Sequence, residues 1–369
     1  KWVLAAVLLA AATVPASVQA QIVYGQPWSS SLSFNYSTWT VEGDGVDESI
    51  SQRAFILSGF APVGEDMEAR FHIATAYNGL ERGTLEDDIS GLGDLRVQLA
   101  RSFMKDRMLL SAGVNLPTGK KELDPGGGRR IIESLSRDYL SLPLRRYGEG
   151  FGFNLLAGGA TELGRFKCGL SATYDFLGEY RPYEDAGDYD PGDAVSLSAT
   201  AATEAGRFSY TGDASFSYFA TDRLDGDDIY RQAPQFSTRI MVARPGDTYM
   251  ASLGANLVIR GRNRRYSVNA GTVESQLKKY GDEFSLFARL GRSLGGTWQV
   301  GGVIGTRQIL ESEEELGRSS LINLGVDLGR EIAGSAGLRI SILYHTGSAA
   351  GGDLDLTGLQ FSAGVDVAY

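Results

Sequence analysis

The sequence predicts an all-β chain folded as an antiparallel transmembrane β-barrel of about sixteen strands, with both termini periplasmic. Three observations carry that expectation. Apolar and polar residues alternate with period two along most of the 369 residues, as in strands with one apolar face. Short joints and long polar ones alternate between these strands, as periplasmic turns and outer loops do in bacterial barrels. An export signal opens the chain, yet no later apolar stretch approaches the roughly 20 residues of a membrane helix. Only helices and closed barrels satisfy every backbone polar group in lipid. An exported chain without a spanning helix therefore enters a membrane as a barrel or not at all.

Residues 1–20, KWVLAAVLLAAATVPASVQA, read as a cleaved signal peptide. A basic residue precedes an apolar run, Pro15 interrupts it, and small residues close it at Val18-Gln19-Ala20. Residues 21–369 read as a single barrel domain, with too few residues before the first strand for a plug. Strands are expected at 29–41, 49–61, 66–77, 93–104, 106–117, 149–161, 164–177, 193–203, 206–220, 233–243, 247–260, 282–293, 296–308, 318–330, 335–347 and 357–369. Each spans about ten residues or more, enough for a tilted crossing. In the last, GLQFSAGVDVAY, Leu359, Phe361, Ala363, Val365, Val367 and Tyr369 share one face. Gly358, Gln360, Ser362, Gly364 and Asp366 share the other. Fourteen strands is the alternative count, because the first two are weakly patterned.

The joints MKD, ELG, EAG, RPGD and LGG are short, whereas 118–148, 178–192, 221–232 and 261–281 are long. The first and last connections are also read as long outer loops. That parity requires an even strand number and puts both termini at the periplasmic end.

Composition bounds the rest. Forty-eight glycines and 10% aromatic residues suit a strand protein with interfacial rings. The single cysteine, Cys168, excludes an intrachain disulfide and falls on the apolar side of its strand. A formal charge of −10 argues against nucleic acid as a partner. The expected location is the Gram-negative outer membrane, with its lipid and lipopolysaccharide as surroundings. The terminal Tyr369 resembles the signal that barrel-assembly machinery reads, and would join Phe166, Phe208 and Trp298 in an aromatic girdle. No cofactor or metal is implied, and oligomeric state is not encoded in any recognisable feature.

The alternation assigns a set of charged side chains to the lumen. They are Glu68, Arg70, His72, Arg96, Lys167, Asp175, Asp213, Arg239, Arg289, Arg307, Asp327, Arg339 and Asp366. Such residues either set ion preference or pair across neighbouring strands, as Arg339 and Asp327 would. Loop 118–148 contains RRIIESLSRDYLSL, with helical spacing at Ile131, Leu135 and Leu142 and a stop at Pro143. It either folds inward to narrow the pore, with Arg129, Arg130, Arg145 and Arg146 lining an anion path, or caps the outer surface.

The outer loops also hold Asp185, Asp188, Asp190 and Asp193, then Asp222, Asp225, Asp227 and Asp228. Their spacing is not that of a calcium loop, and solvated acidic loops are expected. The stretch RGRNRR at 260–265 is not read as a site. For a hydrolase only His72 and His345 are available. No Gly-x-Ser-x-Gly elbow is expected, and no histidine pair has metal spacing.

One stretch carries a family resemblance. Gly93-Asp94-Leu95 starts a strand, and Pro117-Thr118-Gly119-Lys120 leaves the next one. This pairing resembles the outer-membrane transporter-like family associated with meta-pathway phenol degradation, and more distantly fatty-acid transporter barrels. The resemblance implies a passive, porin-like channel for small hydrophobic or aromatic compounds. A structural or adhesive barrel is the alternative, and an outer-membrane lipid hydrolase a remote one. By their own chemistry, Pro117 fits a strand exit, and Gly91, Gly93 and Gly119 permit tight backbone there.

Overall fold

The computed structural model describes residues 28–43, 45–104, 107–120, 122–267, 272–310 and 318–368. The signal-peptide assignment and the place of Tyr369 in the girdle lie outside these residues.

The wall begins with β1 (Ser29–Gly43), β2 (Val46–Pro62), β3 (Met67–Arg82), β4 (Leu85–Leu92), β5 (Leu95–Phe103) and β6 (Met108–Leu116). After helix α1 (Gly127–Leu135) follow β7 (Gly152–Leu163), β8 (Phe166–Leu177), the short β9 (Tyr189–Asp190), β10 (Ala194–Ala205) and β11 (Phe208–Phe219). Short β12 (Thr221–Leu224) and β13 (Asp227–Arg231) precede β14 (Gln235–Arg244) and β15 (Tyr249–Arg260). Short β16 (Asn263–Tyr266) and β17 (Val273–Leu277) precede β18 (Glu283–Leu294), β19 (Trp298–Ile309), β20 (Ser319–Ala333), β21 (Ala336–Ala349) and β22 (Leu354–Ala368).

The large sheet is antiparallel and closed, because β1 pairs with β2 on one side and β22 on the other. Both β4 and β5 pair with β3, end to end, so they form one interrupted stave. Seventeen strands therefore make a barrel of sixteen staves, each matching one of the expected strands. Ser29 pairs with Ala368 at the short-turn end, so both ends of the described barrel lie together there.

Two expectations are corrected. The first connection is not a long loop: the β1–β2 ladder runs on to the pair Gly43–Val46, and Gly45 takes φ +76°. The last is equally tight, with Ala349 paired to Leu354. Both still turn at the long-loop end, so parity is unchanged. The long joints are not structureless either. Five short strands from them form a second antiparallel sheet in the order β17-β16-β13-β12-β9.

Alternation separates the two faces of the wall. Leu57, Leu110, Leu170, Leu197, Ile240, Leu253, Leu290, Ile304 and Leu324 point outward and are exposed, making an apolar belt. Glycines on this face are covered by neighbours: the Phe71 ring lies where a Cβ of Gly59 would stand. At the short-turn end arginines lie over rings, Arg165 on Phe166, Arg292 on Tyr249 and Arg330 on Trp298. A ring edged by a cation suits a water–lipid boundary. Among the described residues no helix is long and apolar enough to cross a membrane. The buried core is instead in the mouth, where Trp39, Ile50, Ala54, Ala76 and Leu356 meet the segment that contains α1.

Candidate functional site: a half-plugged lumen

The segment between β6 and β7 enters the barrel as a strap, and a clamp at the rim holds both its ends. The Gly93-Asp94 break between β4 and β5 leaves Asp94 outside the ladder. Asp94 accepts from the Gly119 N–H at 2.9 Å where the strap begins and the Glu149 N–H at 2.7 Å where it ends. It also accepts from the Asn115 amide at 2.9 Å. Thr118 Oγ1 accepts from the Leu95 N–H at 2.9 Å. Gly119 must lack a side chain, since a Cβ would stand 2.2 Å from the Tyr147 carbonyl oxygen. The Gly-Asp-Leu and Pro-Thr-Gly-Lys elements are thus the two jaws of one clamp.

Inside the mouth the strap is apolar toward the wall. Gly128, Ile131, Ser134 and Leu135 are the buried residues of α1, the stripe expected of a helix with one docked face. Asp124 accepts from the Gly127 N–H at 2.6 Å as the helix starts. The helix ends at Leu135, well before the Pro143 stop suggested by residue spacing. Arg137 is extended, Asp138–Leu140 makes a 3-10 turn, and Ser141 is left-handed at φ 51°. That break lets Arg137 reach Glu48 at 2.8 Å, and the same carboxylate holds Arg82 at 2.9 Å. Glu48 is 1% exposed, so its carboxylate is dry, while both arginines keep an edge to water. Burial works against the Arg137 charge, but Tyr139 and Glu48 outweigh it and hold its pKa up.

Further bonds fix the strap. Gln52 donates to the Leu144 carbonyl at 2.6 Å and accepts from its N–H at 3.1 Å. The Tyr147 hydroxyl accepts from Asn78 and donates toward the Ala76 and Ile89 carbonyls, and burial pushes its pKa up. Trp39 packs edge-on to Tyr139. Across the mouth, Arg307 donates to the Asp138 carbonyl at 2.7 Å and Gln360 to that of Leu140 at 3.2 Å. The wall contacts of the strap thus reach β1, β2, β3, β4, β5, β15, β19 and β22, the β15 contact being Arg260 with Asp138 at 3.6 Å and the β5 contact Arg96 with Glu149 at 3.2 Å. Among the described residues, no hydrogen bond or ion pair joins it to β8, β10, β11 or β14.

That bare wall has a different surface. Its inward side is small and hydroxylated, with Ser196 bonded to Ser217 at 2.8 Å and Ser215 to Ser237 at 2.7 Å. By ladder register, all thirteen charged residues assigned to the lumen share the face that meets the strap. Eight are ion-paired: Glu68 with Arg70, Arg96 with Glu149, Arg289 with Asp327, Arg307 with Glu283, and Arg339 with Asp366. The expected Arg339–Asp327 pair does not form. Gly301, between Arg289 and Asp327, has no side chain to keep them apart. His72, Lys167, Asp175, Asp213 and Arg239 have no salt bridge among the described residues, and all but His72 stand on the bare wall. Asp213 and Arg239 face each other in register.

The four strap arginines expected to line an anion path part company. Arg129 pairs with Asp185, Arg130 grips Asp87 at 2.7 Å and Arg145 pairs with Asp138. Among the described residues Arg146 has only a 3.5 Å contact with Glu149. The outer-loop carboxylates do structural work. Asp222 accepts from the Tyr189 hydroxyl and Gly192 N–H, Asp225 from the Asp188 N–H, and Asp193 from Tyr174. Within RGRNRR, Arg260 donates to the Gly281 carbonyl and Asn263 accepts from the Ala233 N–H. The inward residues Glu48, Gln52 and Asn78 were not recognised as strap anchors, although they alternate with outward Tyr77 and Phe55.

His345 is held between Asn323, at 2.6 Å, and the Trp39 ring, while His72 stands opposite Arg96. A Gly-x-Ser-x-Gly string does occur, at Gly291–Gly295, which corrects the sequence reading. Ser293 pairs with Gln299 across a hairpin, so this is strand and turn, without the strand-to-helix geometry of an elbow.

No family model matches the chain, and no curated protein does. Solved structures with a similar course include a "CymD monoaromatic hydrocarbon channel", at 11% identity and TM-score 0.43, covering 93% of this chain and 89% of that one. Pseudomonas aeruginosa OpdL is similar at 12% identity and TM-score 0.48, covering 93% and 99%. OprD from the same organism is similar at 11% identity and TM-score 0.46, covering 94% and 96%. Likenesses this loose do not bear on what passes through the barrel, and the fold rests on its own register.

Proposed function

We propose that this protein is a passive outer-membrane channel for small solutes, in a Gram-negative envelope. The observation that carries the proposal is the asymmetric lumen: a strap fills one side and leaves a hydroxylated wall with uncommitted charges on the other. A barrel of sixteen strands is wide enough for an aqueous passage unless something fills it. Here the filler is anchored to one side. The exposed apolar belt and the aromatic–arginine girdle supply the lipid-facing surface, with lipopolysaccharide at the long-loop end. Export by the signal at 1–20 and insertion by barrel-assembly machinery complete the route. The clamp motif's resemblance to the transporter-like family supports small hydrophobic or aromatic compounds as cargo.

The test is single-channel conductance of the refolded protein in a planar bilayer, intact and with residues 122–146 deleted. Small openings that grow several-fold on deletion are expected. Steady large openings in the intact protein would instead indicate a general diffusion pore. Silence in both forms sinks the transport reading and leaves a structural or adhesive barrel.

A further inference from the structure

Of Arg129, Arg130, Arg145 and Arg146, Arg146 has the longest ion-pair contact, 3.5 Å to Glu149, and its surroundings resemble a ligand site. Beside it is a mostly apolar cavity of about 200 Å³ between the strap and the 178–193 loop. Tyr147, Tyr180, Tyr183 and Tyr189 line it together with Leu123 and Ile132. Arg146 is the one charged residue in that lining. An apolar cavity of roughly 150 Å³ accepts benzene, so this one has room for a single substituted ring.

The walls are built and held. Tyr180 and Tyr189 exchange two backbone hydrogen bonds of 2.9 Å and stack edge-on at 5.6 Å. The Leu123 N–H donates to the Pro182 carbonyl at 3.1 Å, tying the strap to the loop. The Tyr189 hydroxyl is spent on Asp222 at 2.6 Å. Arg129 lies over the Tyr183 ring at 4.7 Å.

Arg146 itself is 57% exposed by side chain, yet it lies within electrostatic reach of Tyr180, Tyr189 and Tyr280 from two other loops. It is therefore open to water inside a vestibule. A guanidinium offers five N–H donors in a planar fork, and a single 3.5 Å contact with Glu149 leaves most of them for a ligand. Aromatic boxes without such a residue take cations. Here the fixed positive charge excludes them and selects a planar anion.

We propose that this pocket binds small aromatic carboxylates, with the ring among the tyrosines and the carboxylate on Arg146. Its place as first station of the solute path rests on the channel reading; the binding itself does not.

Isothermal titration of the refolded full barrel in detergent tests it, with benzoate, benzyl alcohol and cyclohexanecarboxylate as probes. Benzoate should bind one-to-one, and at least tenfold more tightly than either other probe. Arg146→Gln should weaken benzoate at least tenfold and leave benzyl alcohol unchanged, and Tyr180→Leu should also weaken benzoate. Arg145→Gln removes the same charge from the neighbouring position and should change benzoate affinity less than twofold. Equal weakening by both arginine variants would reduce the effect to net charge and overturn the site. So would no benzoate binding, or unaltered binding in Arg146→Gln. Benzoate binding without conductance would sink the channel reading alone, whereas conductance without binding would sink only this pocket.

Discussion

The wall around β1–β4, β19 and β22 and the wall of β8, β10, β11 and β14 follow the same period-two rule, but their inward faces differ in kind. The first presents Trp39, Ile50, Glu48, Gln52 and Asn78, all nearly or fully buried under the strap. The second presents serines bonded to each other and charges without salt-bridge partners. Large apolar residues and satisfied polar groups anchor a segment of chain. Small hydroxylated ones offer it no purchase and remain with water. The barrel thus decides where it is plugged by side-chain size and pairing, on a backbone that is nearly uniform.

The largest break in this contrast should come from Glu48→Gln. It strips the carboxylate from two arginines, one of them Arg137 at 20% exposure. Removing one partner of a buried pair costs roughly 3–5 kcal/mol, with the lower end expected because Arg82 is 45% exposed. Hydrogen exchange across residues 127–142 should accelerate while the barrel ladders stay protected. Unchanged exchange would mean that Glu48 does not hold the strap.

Tyr147→Phe should act in the same direction but less. It leaves the buried Asn78 amide without its acceptor, a loss of about 1–3 kcal/mol. The same exchange measurement checks it. Ser215→Ala on the bare wall is the control, expected within about 0.5 kcal/mol of the parent.

Asp213→Asn and Arg239→Gln should separate stability from permeation. Reversal potentials in a potassium chloride gradient should move toward chloride for the first and toward potassium for the second. The strap's exchange rates should not change. Identical reversal potentials in both variants would show that ions do not pass this wall.

The smallest effect concerns pH at the outer end of the strap. The Arg130 guanidinium bonded to Asp87 holds that carboxyl below its usual value of 3.8. A depressed carboxyl stabilises the docked state above its unfolded pKa, and the contribution is lost as pH falls through the folded one. Proteolysis of α1 by pepsin should therefore increase below pH 3.8, with a smaller increment in Asp87→Asn. An identical increment in the variant would remove Asp87 from the strap's restraint.

The sixteen staves, their inward and outward faces and the common end of the termini were legible from alternation and joint length. In a barrel each residue's face is fixed by its parity along the strand. That is why register puts even widely separated charges such as Asp213 and Arg239 on one side. The tall β1–β4 wall was less legible, because beyond the apolar belt both faces of a strand can be polar. Residues 42–48 therefore looked like a loop. The second sheet was missed for a similar reason: strands of two to five residues are too short to show a period.

What the sequence determined by itself was local: strand identity, parity, and the existence of a long segment with a helical stretch. Whether that segment lay inside or outside the barrel was decided only by tertiary structure. Its anchors, Glu48 with Arg137, Asn78 with Tyr147 and Arg307 with the Asp138 carbonyl, lie 69 to 169 residues apart. No periodicity reports contacts at such separations. Asp94 shows the same division, since Gly-Asp-Leu marks a strand start in sequence but becomes a clamp only when Gly119 and Glu149 arrive. Alternation is a property of one strand, whereas plugging depends on which side chains from distant strands meet in the mouth.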